Sequence, residues 1–76
     1  MKSTTPRIKG AKLITTEEAG PYLKVDVWQG VRGYYVYFHY LNDNSLVLAR
    51  GPFKELPYAL RLARSLRDVL KTLETL

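Results

Sequence analysis

The sequence contains no cysteine, which excludes disulfide bridges, thiol nucleophiles and cysteine-ligated zinc or iron–sulfur centres. It has a single histidine, His39. Acidic residues are scarce as well: seven Asp and Glu stand against twelve Lys and Arg, for a net charge of +5. A metal site needs three or four convergent ligands, and these few carboxylates are scattered along the chain, so no metal or other cofactor is expected. No apolar run approaches the ~20 residues of a membrane span, and the first residues lack the apolar region of a signal peptide. An intracellular protein without membrane contact is the expectation. At 76 residues the chain has room for one domain. Domains of this size bury only roughly 60% of their unfolded surface, so the core must be compact. A hydrophobic content of 46% suits a globular fold rather than a disordered chain.

The positive charge is concentrated. Residues 1–12 hold Lys2, Arg7, Lys9 and Lys12 without any acidic residue, whereas Glu17 and Glu18 make the next stretch acidic. Ser3, Thr4, Thr5, Pro6 and Gly10 offer little to bury, so residues 1–20 read as a basic, flexible N-terminal arm. Leu13-Ile14-Thr15-Thr16 has the composition of a short edge strand within it.

Residues 21–76 read as a single β-β-β-α domain. From Tyr22 to Trp28 the residues alternate: Leu23, Val25 and Val27 on one face, Tyr22, Lys24, Asp26 and Trp28 on the other. Period two with β-branched residues is the signature of a strand. Gln29-Gly30-Val31-Arg32-Gly33 supplies a hairpin connection. Tyr34, Val36, Phe38 and Tyr40 then share one face of a second strand, and Tyr35, Tyr37 and His39 the other. Asn42-Asp43-Asn44-Ser45 is a polar turn. Leu46 to Arg50 forms a third strand in which either parity presents apolar side chains.

Gly51-Pro52 ends the sheet and a helix follows, with Pro57 in its first turn, where a missing N–H is harmless. Ala59, Leu62, Ala63, Leu66, Val69, Leu70 and Leu73 recur at helical spacing, opposite Arg61, Arg64, Asp68 and Lys71. The fold class is therefore α+β: an antiparallel β-meander of three strands, or four with the edge strand, packed against one C-terminal α-helix.

Catalysis has little to build on. No nucleophile, base and orienting group occur at a suggestive spacing. Gly30-Val31-Arg32-Gly33 is too short for a phosphate loop and lacks its Lys-Ser/Thr ending. The informative surface is the sheet face turned away from the helix, where Lys24, Trp28, Tyr35, Tyr37 and His39 point together. Aromatics among basic residues suit nucleic acid, by stacking on bases at roughly 1–3 kcal/mol each or by lying in a major groove. Asp26 at the centre of that face opposes phosphate. The helix charges are most simply a solvated face.

Arg32-Gly33-Tyr34-Tyr35-Val36-Tyr37, a polar turn, a third strand, and Gly51-Pro52-Phe53 leading to Ala59 form a recognisable order. It resembles the amino-terminal arm-binding domains of phage tyrosine integrases and the plant ethylene-response-type DNA-binding domain. Their Gly-x-Phe turn, with a helix alanine six residues after the Phe, is similar to Gly51, Phe53 and Ala59. The resemblance covers about half the chain and implies a three-stranded sheet, backed by a helix, that enters the DNA major groove. In those families arginines on the first two strands carry much of the contact. Here Lys24, Arg32 and Arg50 are the available cations, and Tyr35, Tyr37 and His39 take the outward positions of the second strand.

The expected function is a small non-enzymatic nucleic-acid-binding protein, regulatory or architectural, with DNA preferred to RNA. Lys24, Trp28, Arg32, Tyr35, Tyr37, His39 and Arg50 would form its sheet surface, and Lys2, Arg7, Lys9 and Lys12 would meet phosphates. The alternative is a phage- or plasmid-type interaction module, an inhibitor or adaptor of a host protein or a homodimer. It would use the aromatic face or the Leu-rich helix, since interfaces favour Trp and Tyr.

Overall fold

The structure is a computed structural model that describes residues 5–74. Four strands precede one helix: β1 (Lys12–Glu18), β2 (Leu23–Gly30), β3 (Gly33–Tyr40), β4 (Ser45–Phe53) and α1 (Leu56–Glu74). The strands form one antiparallel sheet in the order β1-β2-β3-β4, and α1 crosses one face. Residues 13–16 thus belong to a full edge strand of seven residues, and the sheet has four strands.

Alternation along β2 and β3 decides which face meets the helix. Val25, Val27 and Val36 are completely buried, in contact with the equally buried Ala59 and Ala63 of α1. Alanines on the helix let its backbone approach the sheet closely, and branched valines fill the pleated surface beneath. Each fully buried valine contributes about 1.5–3 kcal/mol. Leu23, Tyr34, Phe38, Phe53, Leu56, Leu66 and Leu70 close the margins of this layer. Arg67 bridges from the helix to Glu17 on β1 and also bonds Asp68, and both partners raise its pKa.

The helical face expected from Ala59 to Leu73 divides in two. Ala59 and Ala63 lie in the core, while Val69 and Leu73 are more than half exposed. The apolar arc is wider than the strip that the sheet can cover.

β4 extends three residues beyond the expected end of the third strand at Arg50, through Gly51, Pro52 and Phe53. It does so with two breaks in register, between Tyr34 and Val36 and between Val36 and Tyr37 on the facing strand. Bulges of this kind settle the parity that the sequence leaves open. Val47 opposes Phe38, whereas Leu46 and Leu48 oppose His39 and Tyr37 on the far face, and Ala49 joins the core.

The two hairpins are held by local bonds. Gly30 pairs with Gly33 across the two-residue loop Val31-Arg32. At the other end Ser45 N donates to Asp43 Oδ1 at 3.1 Å, and Asn44 takes a left-handed conformation (φ 57°). Short polar side chains favour both features.

Gly33 has φ 143°, and a Cβ built there would lie 2.4 Å from the Phe53 carbonyl oxygen. Gly33→Ala is expected to lower stability by about 2 kcal/mol or more, read as a shift in the urea midpoint. At Gly30 an added Cβ comes closest to the ends of the Tyr35 and Ile8 side chains, at 3.1 and 3.2 Å, with the Lys9 carbonyl oxygen in ordinary contact at 3.4 Å. Gly30→Ala is expected to cost under about 1 kcal/mol. Equal midpoints for the two variants would contradict this account of the turn.

Candidate nucleic-acid interface

The face of the sheet opposite the helix is built in rows. Lys24 and His39 are paired across β2 and β3, as are Asp26 with Tyr37 and Trp28 with Tyr35. β1 extends these rows with Glu18, Thr16 and Leu13, and β4 adds Leu46 and Leu48.

Burial overturns the expectation that these aromatics stand open together. Trp28 and Tyr37 are each only 8% exposed, and the His39 side chain is 17% exposed. Two causes act. The first is Asp26, at 2% exposure the one buried charged residue among those described. Its Oδ1 accepts from Thr16 Oγ1 at 3.0 Å, and its Oδ2 lies 3.4 Å from the Trp28 Nε1 donor and 3.2 Å from His39 Nδ1. A buried carboxylate is tolerable only with such partners; satisfying it holds Trp28 and His39 inward, while Thr16 reaches it from an exposed position on β1. His39 Nε2 is itself buried and has no hydrogen-bond partner among the described residues.

The second cause is the N-terminal segment. The sequence reads residues 1–20 as a flexible arm, but Thr5–Gly10 lies against the outer face as a strap. Pro6 is buried and borders a concavity with Tyr37, Leu46 and Leu48. Ile8 borders a second one with Val31 and Tyr35. The strap is tied to the β2–β3 turn where Val31 N donates to Lys9 O at 3.1 Å. Pro6 and Ile8 supply apolar cover to the outer ring layer, which is why the segment lies down.

Turning Pro6 and Ile8 inward turns Arg7 and Lys9 outward, and both are exposed. They meet Arg32 of the β2–β3 turn around the half-buried ring of Tyr35. None of these three cations pairs with a carboxylate among the described residues. The Tyr35 ring lies 6.4 Å from that of Tyr37, tilted by 40°.

The remaining site candidates are dispersed. Lys12 is exposed opposite Gln29, near the same end of the sheet. Lys24 is half-buried towards the opposite end, beside His39. Arg50 is exposed on the edge strand β4, opposite Val36. Lys2 lies outside the described residues. Sequence reasoning missed Pro6, Ile8 and Thr16 as parts of this face. The strict alternation Pro6-Arg7-Ile8-Lys9 was the available signal for the first two.

The described residues contain no group of three His, Cys, Asp or Glu able to hold a metal ion. Their helix is not long and apolar enough to cross a membrane. Compared with protein-family models, curated proteins and solved structures, the chain matches none.

Two predictions follow from the Asp26 layer. Asp26→Ala strands the Thr16, Trp28 and His39 donors and is expected to cost about 2–4 kcal/mol. Chemical denaturation measures this, and an unchanged midpoint would refute the network. Burial, with Tyr35 adding to it, raises the pKa of the Tyr37 phenol. The folded chain therefore holds that proton longer than the unfolded chain. This contribution is constant below the ordinary tyrosine value of about 10 and declines as pH rises through it. Unfolding curves at increasing alkaline pH are expected to show the decline, and Tyr37→Phe is expected to flatten it.

Proposed function

We propose that this protein binds nucleic acid, DNA in preference to RNA, at the end of the sheet where Arg7, Lys9 and Arg32 surround Tyr35. The observation that carries the reading is the convergence of three unpaired cations on one accessible aromatic ring. Guanidinium and ammonium groups attract phosphate, and an aromatic ring beside them accepts a base. Stacking on such a ring contributes roughly 1–3 kcal/mol per base, and each neutralised phosphate releases counterions.

This reading differs from a sheet laid flat in a major groove. The strap lies beside Tyr37 and Trp28 is buried within the sheet layer, so contact falls on the rim of the face and on the β2–β3 turn. Unpaired bases reach Tyr35 more easily than stacked ones, which favours single-stranded or distorted segments. The role is non-enzymatic, architectural or regulatory, and such a partner implies an intracellular protein.

Fluorescence anisotropy with a labelled single strand and its duplex, over a salt series, tests the proposal. Arg7→Ala, Lys9→Ala and Arg32→Ala are each expected to weaken binding. Each should also reduce the slope of log affinity against log salt by about 0.7 on single strands. Tyr35→Ala is expected to weaken binding roughly tenfold or more while leaving that slope unchanged. No binding of either probe at low salt, or full affinity in both Arg32→Ala and Tyr35→Ala, would refute it.

A further inference from the structure

We infer that the uncovered flank of α1 is the interface of a twofold dimer, with Tyr58 of each copy seated between Val69 and Leu73 of the other. The inference uses none of the residues that carry the nucleic-acid reading and stands independently of it.

The helix buries Ala59 and Ala63 against the sheet, yet its apolar arc continues around one side. Tyr58, Leu62, Val69 and Leu73 follow one another along that flank at spacings near multiples of a helical turn, with Ser65 between them. Tyr58 is 53% exposed, Val69 56% and Leu73 59%. Val69 and Leu73 border a shallow apolar notch together with Asp68 and Thr72. On so small a chain, this is a continuous apolar strip of the kind that marks an interaction surface.

The arrangement of the strip selects a second copy of the chain as its occupant. A twofold interface must be self-complementary: whatever projects on one side of the axis must meet a recess equally far on the other side. Let the axis pass the helix between Arg64 and Ser65, with the two helices antiparallel. Tyr58 then lies as far before the axis as the midpoint of Val69 and Leu73 lies beyond it. The projecting ring of each copy is level with the other's notch. A tyrosine suits this place, with its ring on apolar side chains and its hydroxyl at the wet margin.

Charge agrees with the same axis. The strip itself carries no charged residue, so two copies meet without like-charge contact. On its margin stand Arg61 and Asp68, both exposed, one on each side of the axis at equal distance, with Asp68 also accepting from Arg67 of its own helix. Arg61 of one copy is thereby level with Asp68 of the other, twice over. Ser65 beside the axis is small and exposed, which lets the helices approach where they cross.

The size is adequate. A stable interface takes about 800 Å² from each partner, which is about a seventh of this chain's 5476 Å². One flank of a 19-residue helix about 28 Å long, with the side chains on its margins, is the surface available to supply it.

Sedimentation equilibrium of the full chain from low to high micromolar concentration tests the inference. The expected result is twice the chain mass at the upper end, with dissociation on dilution. Val69→Glu with Leu73→Glu replaces two exposed side chains, so the fold should persist by circular dichroism while the mass falls to one chain. Tyr58→Ala is expected to weaken association at least tenfold. Arg61→Asp and Asp68→Arg are each expected to weaken it several-fold, and the two together to recover part of it, since Asp68→Arg also removes the bond from Arg67. A single-chain mass throughout, as a different protein partner would produce, overturns the inference. So does a dimer that survives the double glutamate variant, or a double charge reversal that restores nothing.

Discussion

A single buried carboxylate organises the side of this protein that faces away from its helix. Asp26 sits mid-strand on β2, almost without solvent, and must find donors within the sheet. Thr16 on β1, Trp28 on β2 and His39 on β3 provide them. Held inward, Trp28 and His39 convert what alternation alone marks as a wet face into a second packed layer. That layer contains the indole and the Tyr37 ring, and such apolar area is best covered. The Thr5–Gly10 strap covers it. The placement of Arg7 and Lys9 is thus a consequence of a charge some distance from them.

The protein accordingly has two layers of different character about one sheet. The helix side is a contact of valine on alanine with the Arg67–Glu17 ion pair at its margin. The strap side mixes aromatic rings with a hydrogen-bonded acid and a histidine, and its rim is cationic. Of the +5 net charge, most belongs to the first twelve residues, and the strap delivers part of it beside Tyr35. In the proposed nucleic-acid reading, affinity through phosphates and preference through stacking would arise at one place. The strip on the outer flank of α1 lies on the other layer, so pairing of two copies leaves both cationic ends free.

Much of the fold was legible in the sequence for a simple reason. β2 and β3 alternate strictly, so their faces follow from period two. The helix follows from the spacing of Ala59, Ala63, Leu66 and Leu70. The boundaries that escaped are those set by tertiary contact. β4 runs on to Phe53 through bulges that no local propensity announces, and β1 gains its full length only by pairing with β2. The site was legible as a set of residues but not as a geometry. Lys24 and Arg50 were grouped with Arg32 because they share charge, and register separates them. Alternation alone marks Trp28 and Tyr37 as exposed, because it does not show that Asp26 needs partners or that Pro6 will lie beside Tyr37.

The central claim is that strap and turn together make one nucleic-acid contact around Tyr35. The most direct measurement is a titration of the isotope-labelled protein with a short single-stranded oligonucleotide, followed by the backbone amide and aromatic signals in NMR spectra. The account predicts that the signals of Arg7, Lys9, Arg32 and Tyr35 move together along one binding curve, with those of the helix unchanged. Shifts confined to the helix or to the Lys24–His39 end, or no shifts at low salt, would contradict it.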